Sequence, residues 1–141
     1  MSDFYKYFKE NMDGLGLPAP ETLFGSLQAA TGNAVVILSQ VDKFGKTVTI
    51  RELIGAGTKL EALGMIGACS AAFYVGAVVG SIAVATGRSA SGGTSLTDVL
   101  VTALRTGLNR PWMTPTLQRY PGLYDAKATA RHMYRFHART A

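Results

Sequence analysis

Side chains that could act as nucleophiles, metal ligands or proton-transfer groups are few and scattered in this chain of 141 residues. The two histidines, His132 and His137, are five positions apart, which places them on different faces of a helix and without the cysteine or carboxylate neighbours of a metal site. The single cysteine, Cys69, lies in an apolar run, so we expect a buried hydrophobic side chain rather than a reactive thiol. Neither a GxSxG nucleophile motif nor a phosphate-binding GxxxxGK[ST] loop occurs. The sequence predicts a protein that is not an enzyme and needs no metal or cofactor.

Positive charge is concentrated in the C-terminal third of the chain. From Arg88 onward there are eight Lys or Arg and two Asp, and Arg131, Arg135 and Arg139 align on one face of a predicted basic helix. Such a face suits anionic lipid headgroups or an acidic partner, although an ordinary solvated helix face explains it equally well. Interleaved aromatic residues that would stack on bases are lacking, so nucleic-acid binding is not predicted.

The longest uncharged run covers 26 residues, from Ala62 to Gly87. As one helix it would be about 39 Å long, enough for a hydrocarbon core of about 30 Å. Its nine large apolar side chains favour insertion by only about 3 to 5 kcal/mol, because glycine, alanine and serine fill the rest. The run is therefore a marginal membrane span, suited to burial in a folded protein and also to entry into a bilayer.

Small residues recur every four positions within this run. Gly64, Ala68, Ala72, Gly76 and Gly80 would form one row along a helix, in which "GAVVG" is a GxxxG motif. Small residues let helices approach closely in lipid, and they do the same in a tightly packed soluble core. Both interpretations stay open at this point.

A second uncharged run, Thr22 to Val41, covers 20 residues and is more polar. We expect a helix from about Ala19 to Val41, with a break at Gly32 and a following buried strand as the alternative. On that helix Ser26, Asn33 and Gln40 are seven positions apart and share a face. This polar stripe could line a pore or face a partner helix, or it could simply be the solvated side of the helix.

The remaining elements are assigned from caps and apolar spacing. A helix over residues 3–12 places Phe4, Tyr5 and Phe8 together, and Thr49 with Glu52 and Thr58 with Glu61 match the capping-box pattern. We expect the central helix to start near residue 59, another to start at Ser95, and the proline-rich stretch 109–124 to be irregular. Hydrophobic residues make up 48% of the chain and charged residues 16%, which argues against disorder.

The predicted fold is therefore all-α: a compact helical domain built around a long apolar Gly/Ala-rich central helix with amphipathic flanking helices. It forms one domain over residues 1–141, divided into an N-terminal amphipathic segment (1–18), the first apolar run (19–41), the central helix (59–87) and a basic helical region (95–141).

The stretch "GMIGACSAAFYVGAVVG", in a small chain that starts without a secretory signal, resembles the glycine-zipper pore-forming effectors of bacterial type VI secretion. The resemblance covers residues 62–87 and the overall size. It implies synthesis in the bacterial cytoplasm, carriage inside the hexameric ring protein of the secretion tube (Hcp), and injection into a rival cell. There the toxin would insert into the inner membrane, assemble as a homo-oligomer and dissipate the membrane potential, while a membrane-located immunity protein protects the producer. The zipper positions would be the five residues of the small-residue row.

A protein of another class fits the same residues. A soluble helical adaptor, or a structural subunit of a phage or secretion machine, would use the Gly/Ala-rich helix as a buried core element. The sequence thus predicts an antibacterial toxin, with the adaptor as the alternative.

Overall fold

Helices make up almost all the regular structure in the computed structural model, which describes residues 3–45, 47–55, 63, 69–90, 96–120 and 123–124. The helices are α1 (Asp3–Gly14), α2 (Glu21–Phe24), α3 (Leu27–Phe44), α4 (Ile50–Gly55), α5 (Ala71–Ala90), α6 (Leu96–Thr106) and α7 (Met113–Arg119). An isolated antiparallel bridge joins Thr49 to Ser70. The predicted all-α class is confirmed for the described part of the chain.

Helix α5 lies at the centre of the fold. Every residue from Ala71 to Ala85 is buried, and α1, α3, α6 and α7 all contact the helix. A helix that is apolar on every side is stable in water only where neighbouring elements cover all of it. Helix α5 is therefore the core around which the amphipathic helices pack.

Helix α1 covers α5 with an amphipathic face, as predicted. Phe8 and Met12 are fully buried, whereas Lys6 and Lys9 are exposed. The predicted helix over residues 3–12 is confirmed and extends by two residues.

Aromatic rings connect α1 to α2 and α5. The ring of Phe8 stacks on those of Phe4 and Phe24, with centroids 5.4 and 5.3 Å away, and the Phe24 ring lies 6.1 Å from that of Tyr74. Offset ring pairs of this kind add stability beyond the apolar area they bury. The N-terminal third is thereby anchored on the central helix.

Two tyrosine hydroxyls hold the proline-rich loop after α1. The hydroxyl of Tyr5 donates to the carbonyl of Ala19 at 2.8 Å, and that of Tyr74 donates to the carbonyl of Pro18 at 2.6 Å. Prolines supply no N–H group for a regular ladder, so the loop carbonyls take side-chain donors instead. These two bonds fix the loop between α1 and the core.

The first apolar run forms two helices rather than the single predicted one. Helix α2 ends at Phe24, and Ser26 begins α3 as its N-cap by accepting a hydrogen bond from the amide of Ala29 at 3.1 Å. A serine oxygen satisfies an otherwise unpaired amide at a helix start, so the break falls there. Helix α3 then continues through Gly32 without interruption, and the alternative of a buried strand is wrong.

The central helix begins later than predicted. Cys69 and Ser70 are extended: the amide of Ile50 donates to the carbonyl of Cys69 at 3.0 Å, and the amide of Ala71 donates to that of Val48 at 2.9 Å. Pairing with the segment before α4 removes these residues from the helix, so α5 starts at Ala71 and ends at Ala90 rather than covering 59–87. Within the described ranges, no helix combines the length and apolar character that a bilayer span requires.

The capping box before α4 is confirmed, because the amide of Thr49 donates to Glu52 Oε1 at 3.0 Å and the amide of Glu52 donates to Thr49 Oγ1 at 3.3 Å. The second candidate box, Thr58 with Glu61, lies outside the described residues.

The described C-terminal residues include a helix that the sequence did not predict. Helix α6 starts at Leu96, as its cap pattern predicts, and buries Val99 and Ala103. Within the stretch 109–124, expected to be irregular, Met113 begins the seven-residue helix α7 and is buried together with Leu117. Burial of these two side chains, one helical turn apart, explains a helix in a proline-rich stretch. The predicted basic helix lies outside the described residues.

Candidate functional site: the small-residue face of the central helix

The small-residue row is the candidate site, and α5 carries three of its five predicted positions. Ala72, Gly76 and Gly80 follow one another at helical spacing and are buried. Gly64 and Ala68 lie outside the described residues. What the described part of the row contacts therefore decides what this face of α5 does in the folded protein.

One segment of the same chain lies against Gly76 and Gly80. We call it the strap and define it as helix α7 with its C-cap residue Tyr120, together with Leu123. A Cβ placed on Gly76 would stand 3.6 Å from both Thr116 Cγ2 and Leu123 Cδ1, which is ordinary van der Waals contact. Gly76 thus packs against the strap with room for one methyl group.

The contact at Gly80 is closer and involves the strap's backbone. A Cβ on Gly80 would stand 2.5 Å from the carbonyl oxygen of Leu123 and 3.0 Å from its carbonyl carbon. Cβ atoms essentially never approach backbone so closely, so only glycine allows this packing. Gly80 is therefore the point at which the strap backbone meets the central helix.

A buried amide stands beside this contact. Asn11 Nδ2, on α1, donates to Leu123 O at 2.9 Å and to Ser81 Oγ at 2.8 Å, and both Asn11 and Ser81 are buried. A buried polar group without a partner costs about 1 to 3 kcal/mol, so this cluster contributes to stability only while its members stay together. One side chain thereby links α1, α5 and the strap.

Apolar and aromatic contacts complete the docking of the strap. Tyr120 packs edge-on against Phe73 of α5, with ring centroids 5.1 Å apart, and Met113 and Leu117 are fully buried. The strap was not predicted from the sequence, because the prolines of the stretch 109–124 are typical of irregular structure. The signal in the sequence that could have predicted it is the spacing of Met113 and Leu117, two apolar residues four positions apart.

The predicted polar stripe on α3 is half-buried rather than solvated. Ser26 is the N-cap described above, and Asn33 Nδ2 donates to the carbonyls of Leu23 at 2.7 Å and Ala29 at 3.1 Å. Gln40 is half-buried near the other end of the helix. Asn33 thus ties α2 to α3, and the role of the stripe as a pore lining stays a prediction.

Several large apolar side chains lie on the solvent side of the fold. Val35 and Val36 expose 44% and 41% of their surface on α3, and Leu104 on α6 exposes 65%. Leu27, Phe44 and Val101 are exposed as well. The exposed face of helix α3 is therefore only partly polar.

The thiol of Cys69 is buried, as expected. Its Sγ donates to the carbonyl of Ser70 at 3.4 Å, and burial raises its pKa from 9.0 to about 12. A thiol held protonated in this way is a poor nucleophile.

A longer-range contact between charged residues joins the end of α3 to the segment after α6. Arg110 donates through Nη2 to Asp42 Oδ2 at 2.8 Å and through Nε to Oδ1 at 3.0 Å. These hydrogen bonds lower the pKa of Asp42 below its usual range.

The described residues contain no group of three or more His, Cys, Asp or Glu that could hold a metal ion. Arg131, Arg135 and Arg139, like His132 and His137, lie outside the described residues.

The fold and the site together define a small helical protein in which a Gly/Ala-rich helix is enclosed by amphipathic helices and covered by a strap. Comparison of the chain with protein-family models, curated proteins and solved structures finds no match.

Proposed function

We propose that this protein is a membrane-depolarising antibacterial toxin that keeps its inserting segment buried until it reaches a target membrane. The observation that carries the proposal is the enclosure of α5, a helix apolar on every side, within a shell of amphipathic helices. Amphipathic helices can lie in a bilayer interface once they are released from a core. The same elements therefore suit the water-soluble form and a membrane-bound form.

In the membrane, several copies would pack through the small-residue row and form an ion-permeable pore. Delivery by type VI secretion, with the hexameric tube ring (Hcp) as carrier and a membrane-located immunity protein in the producer, rests on the resemblance of residues 62–87. The cationic face of Arg131, Arg135 and Arg139 would contact anionic headgroups or an acidic partner. This end would stay on one side of the bilayer, as the positive-inside trend favours.

Insertion of α5 alone is too weak to drive unfolding of the whole protein. Its six large apolar side chains, Phe73, Val75, Val78, Val79, Ile82 and Val84, favour insertion by about 2 to 4 kcal/mol. A domain of this size has a free energy of unfolding of about 5 to 15 kcal/mol. Entry into a membrane therefore has to proceed through partial opening, with contributions from the flanking helices.

Vesicle experiments test the pore directly. Vesicles of zwitterionic lipid, with and without anionic lipid, would hold a potassium diffusion potential at pH 5 and pH 7. We expect the purified protein to dissipate the potential, most rapidly in the anionic vesicles. Retention of the potential under all four conditions would contradict the proposal.

Expression in bacteria separates the toxin from an adaptor. The chain fused to an export signal should depolarise the inner membrane and stop growth, whereas the same chain without the signal, kept in the cytoplasm, serves as the control. An adaptor would leave both cultures growing.

The adaptor, or a structural subunit of a phage or secretion machine, is the second candidate, favoured by a specific observation. The row at Gly76 and Gly80 is filled within the chain by Thr116 and Leu123, so close packing in a water-soluble core accounts for these glycines without a membrane.

A further inference from the structure

We propose that the strap is an autoinhibitory element, which must leave the small-residue row before α5 can pack through that row against another helix. The inference rests on the proposed function and specifies which contact separates the closed protein from the pore. It follows from mutual exclusion, because one face of a helix cannot pack closely against two backbones at once.

The closed protein leaves no room for a second helix at the row. The carbonyl of Leu123 lies against Gly80, and Thr116 and Leu123 cover Gly76. A helix pairing through small residues needs the same close backbone approach that Leu123 already makes. Release of the strap is therefore a precondition for pairing.

The strap is the element best suited to leave first. Helix α7 has only seven residues, too few for a stable helix on its own, and it contacts α5 less extensively than α1 and α3 do. Its departure would expose the row while α1 and α3 remain on the other sides of α5.

The amide of Asn11 keeps one of its two hydrogen bonds when the strap leaves. When Leu123 leaves, Asn11 Nδ2 keeps its hydrogen bond to Ser81 Oγ, and the freed carbonyl of Leu123 gains water. The N–H group of Asn11 that loses Leu123 O has to take water from the space that the strap leaves, so release costs part of the stability that the cluster provides.

A reversible disulfide tests the inference. Gly76→Cys with Thr116→Cys, in a Cys69→Ala background, places two sulfurs within reach, because a Cβ on Gly76 stands 3.6 Å from Thr116 Cγ2. We expect the oxidised protein to dissipate the vesicle potential at less than a tenth of the rate of the same protein after reduction. Equal rates before and after reduction would overturn the inference.

A second variant works in the opposite direction and needs no disulfide. Gly80→Ala should push Leu123 away, whereas Gly32→Ala, on α3 with nothing within 4 Å of its added Cβ, is the matched control. Because position 80 also belongs to the row that would pair in a membrane, this variant is read by release of the strap and not by leakage.

The single tryptophan, Trp112, lies directly before α7 and is half-buried, so its fluorescence reports release without a membrane. We expect acrylamide to quench Trp112 more strongly in Gly80→Ala than in Gly32→Ala. Equal quenching of the two variants would also overturn the inference.

The two proposals fail in different ways. A wild-type protein that never dissipates the potential ends the pore proposal, and the strap's inhibitory role with it. If the wild-type protein is active and the disulfide between positions 76 and 116 leaves the rate of dissipation unchanged, only the strap inference fails.

Discussion

The carbonyl oxygen of Leu123 lies against Gly80 so closely that a Cβ on this glycine would stand only 2.5 Å from it. At Gly76, one turn earlier, the same segment leaves 3.6 Å to the nearest atoms. Two glycines of one helix thus face one strap with very different amounts of space, and this difference gives the first prediction.

Alanine at the two glycines should change stability in opposite directions. Gly76→Ala should raise the free energy of unfolding by up to about 1 kcal/mol, because alanine favours the helix and its methyl group fits. Gly80→Ala should lower it by about 1 to 3 kcal/mol, because the strap backbone has to move. Urea unfolding followed by circular dichroism measures both values, with Gly32→Ala as the control for helix propensity. Equal stability of Gly76→Ala and Gly80→Ala would show that Leu123 does not approach the helix as described.

Removal of the Asn11 amide should destabilise the protein more than removal of a comparable amide near the surface. Asn11→Ala leaves Leu123 O and Ser81 Oγ without this donor inside the core, so we expect a loss of about 1 to 3 kcal/mol. Asn33 also makes two hydrogen bonds through Nδ2 but is only half-buried. Asn33→Ala is therefore the matched control, because water can reach the carbonyls of Leu23 and Ala29 and replace part of the lost hydrogen bonding. A larger loss for Asn33→Ala would contradict the role assigned to Asn11.

The thiol of Cys69 should be nearly inert in the folded protein. With a pKa of about 12 instead of 9.0, its thiolate at pH 8 is about a thousandfold rarer, and burial also blocks access. We expect a thiol-specific chromogenic reagent to label the folded protein at least 100-fold more slowly than the urea-unfolded chain.

Ser39→Cys in a Cys69→Ala background is the control for this labelling, because position 39 is exposed and should react rapidly in the folded protein. Equal labelling of Cys69 in the folded and unfolded protein would mean that the bridge before α5 does not bury this residue.

The ion pair between Asp42 and Arg110 should stabilise the fold in a pH- and salt-dependent manner. The pKa of Asp42 is lowered in the folded state, mainly by the hydrogen bonds from Arg110. The carboxyl group therefore loses its proton at a lower pH in the folded protein than in the unfolded chain. The stabilisation is therefore present above the usual carboxyl pKa of 3.8 and disappears as the pH falls through the lowered value.

Both side chains of this pair are partly solvated, with 31% and 45% exposed, so Asp42→Asn should cost no more than about 1 kcal/mol at pH 7 and low salt. The difference from wild type should vanish in 1 M salt and once the pH falls below the lowered pKa of Asp42. Urea unfolding across pH and salt measures it, with Asp13→Asn, which removes the local pair with Lys9 on α1, as the comparison. A difference that is the same at every pH would contradict the assigned ion pair.

Local patterns in the sequence were sufficient where neighbours within a few residues decide the structure. The apolar spacing of residues 3–12 predicted the amphipathic helix α1, with Phe8 on its apolar side, and the Thr49–Glu52 box predicted the start of α4. Cys69 was expected to be buried because its surroundings are apolar. In each case the determining contacts lie within the same helix turn or the same short run, so the sequence contains them.

Tertiary contacts decided what no local pattern contains. The start of α5 depends on Ser70 pairing with Thr49, and the covered face of α5 depends on Asn11 and Leu123, which are 112 positions apart. A helix that is apolar all round has no preferred face of its own, because every orientation buries a similar apolar surface. The sequence by itself therefore determined that a Gly/Ala-rich helix would be buried. The tertiary structure alone decided that the strap lies on its small-residue row, because only there do glycines let a backbone approach so closely.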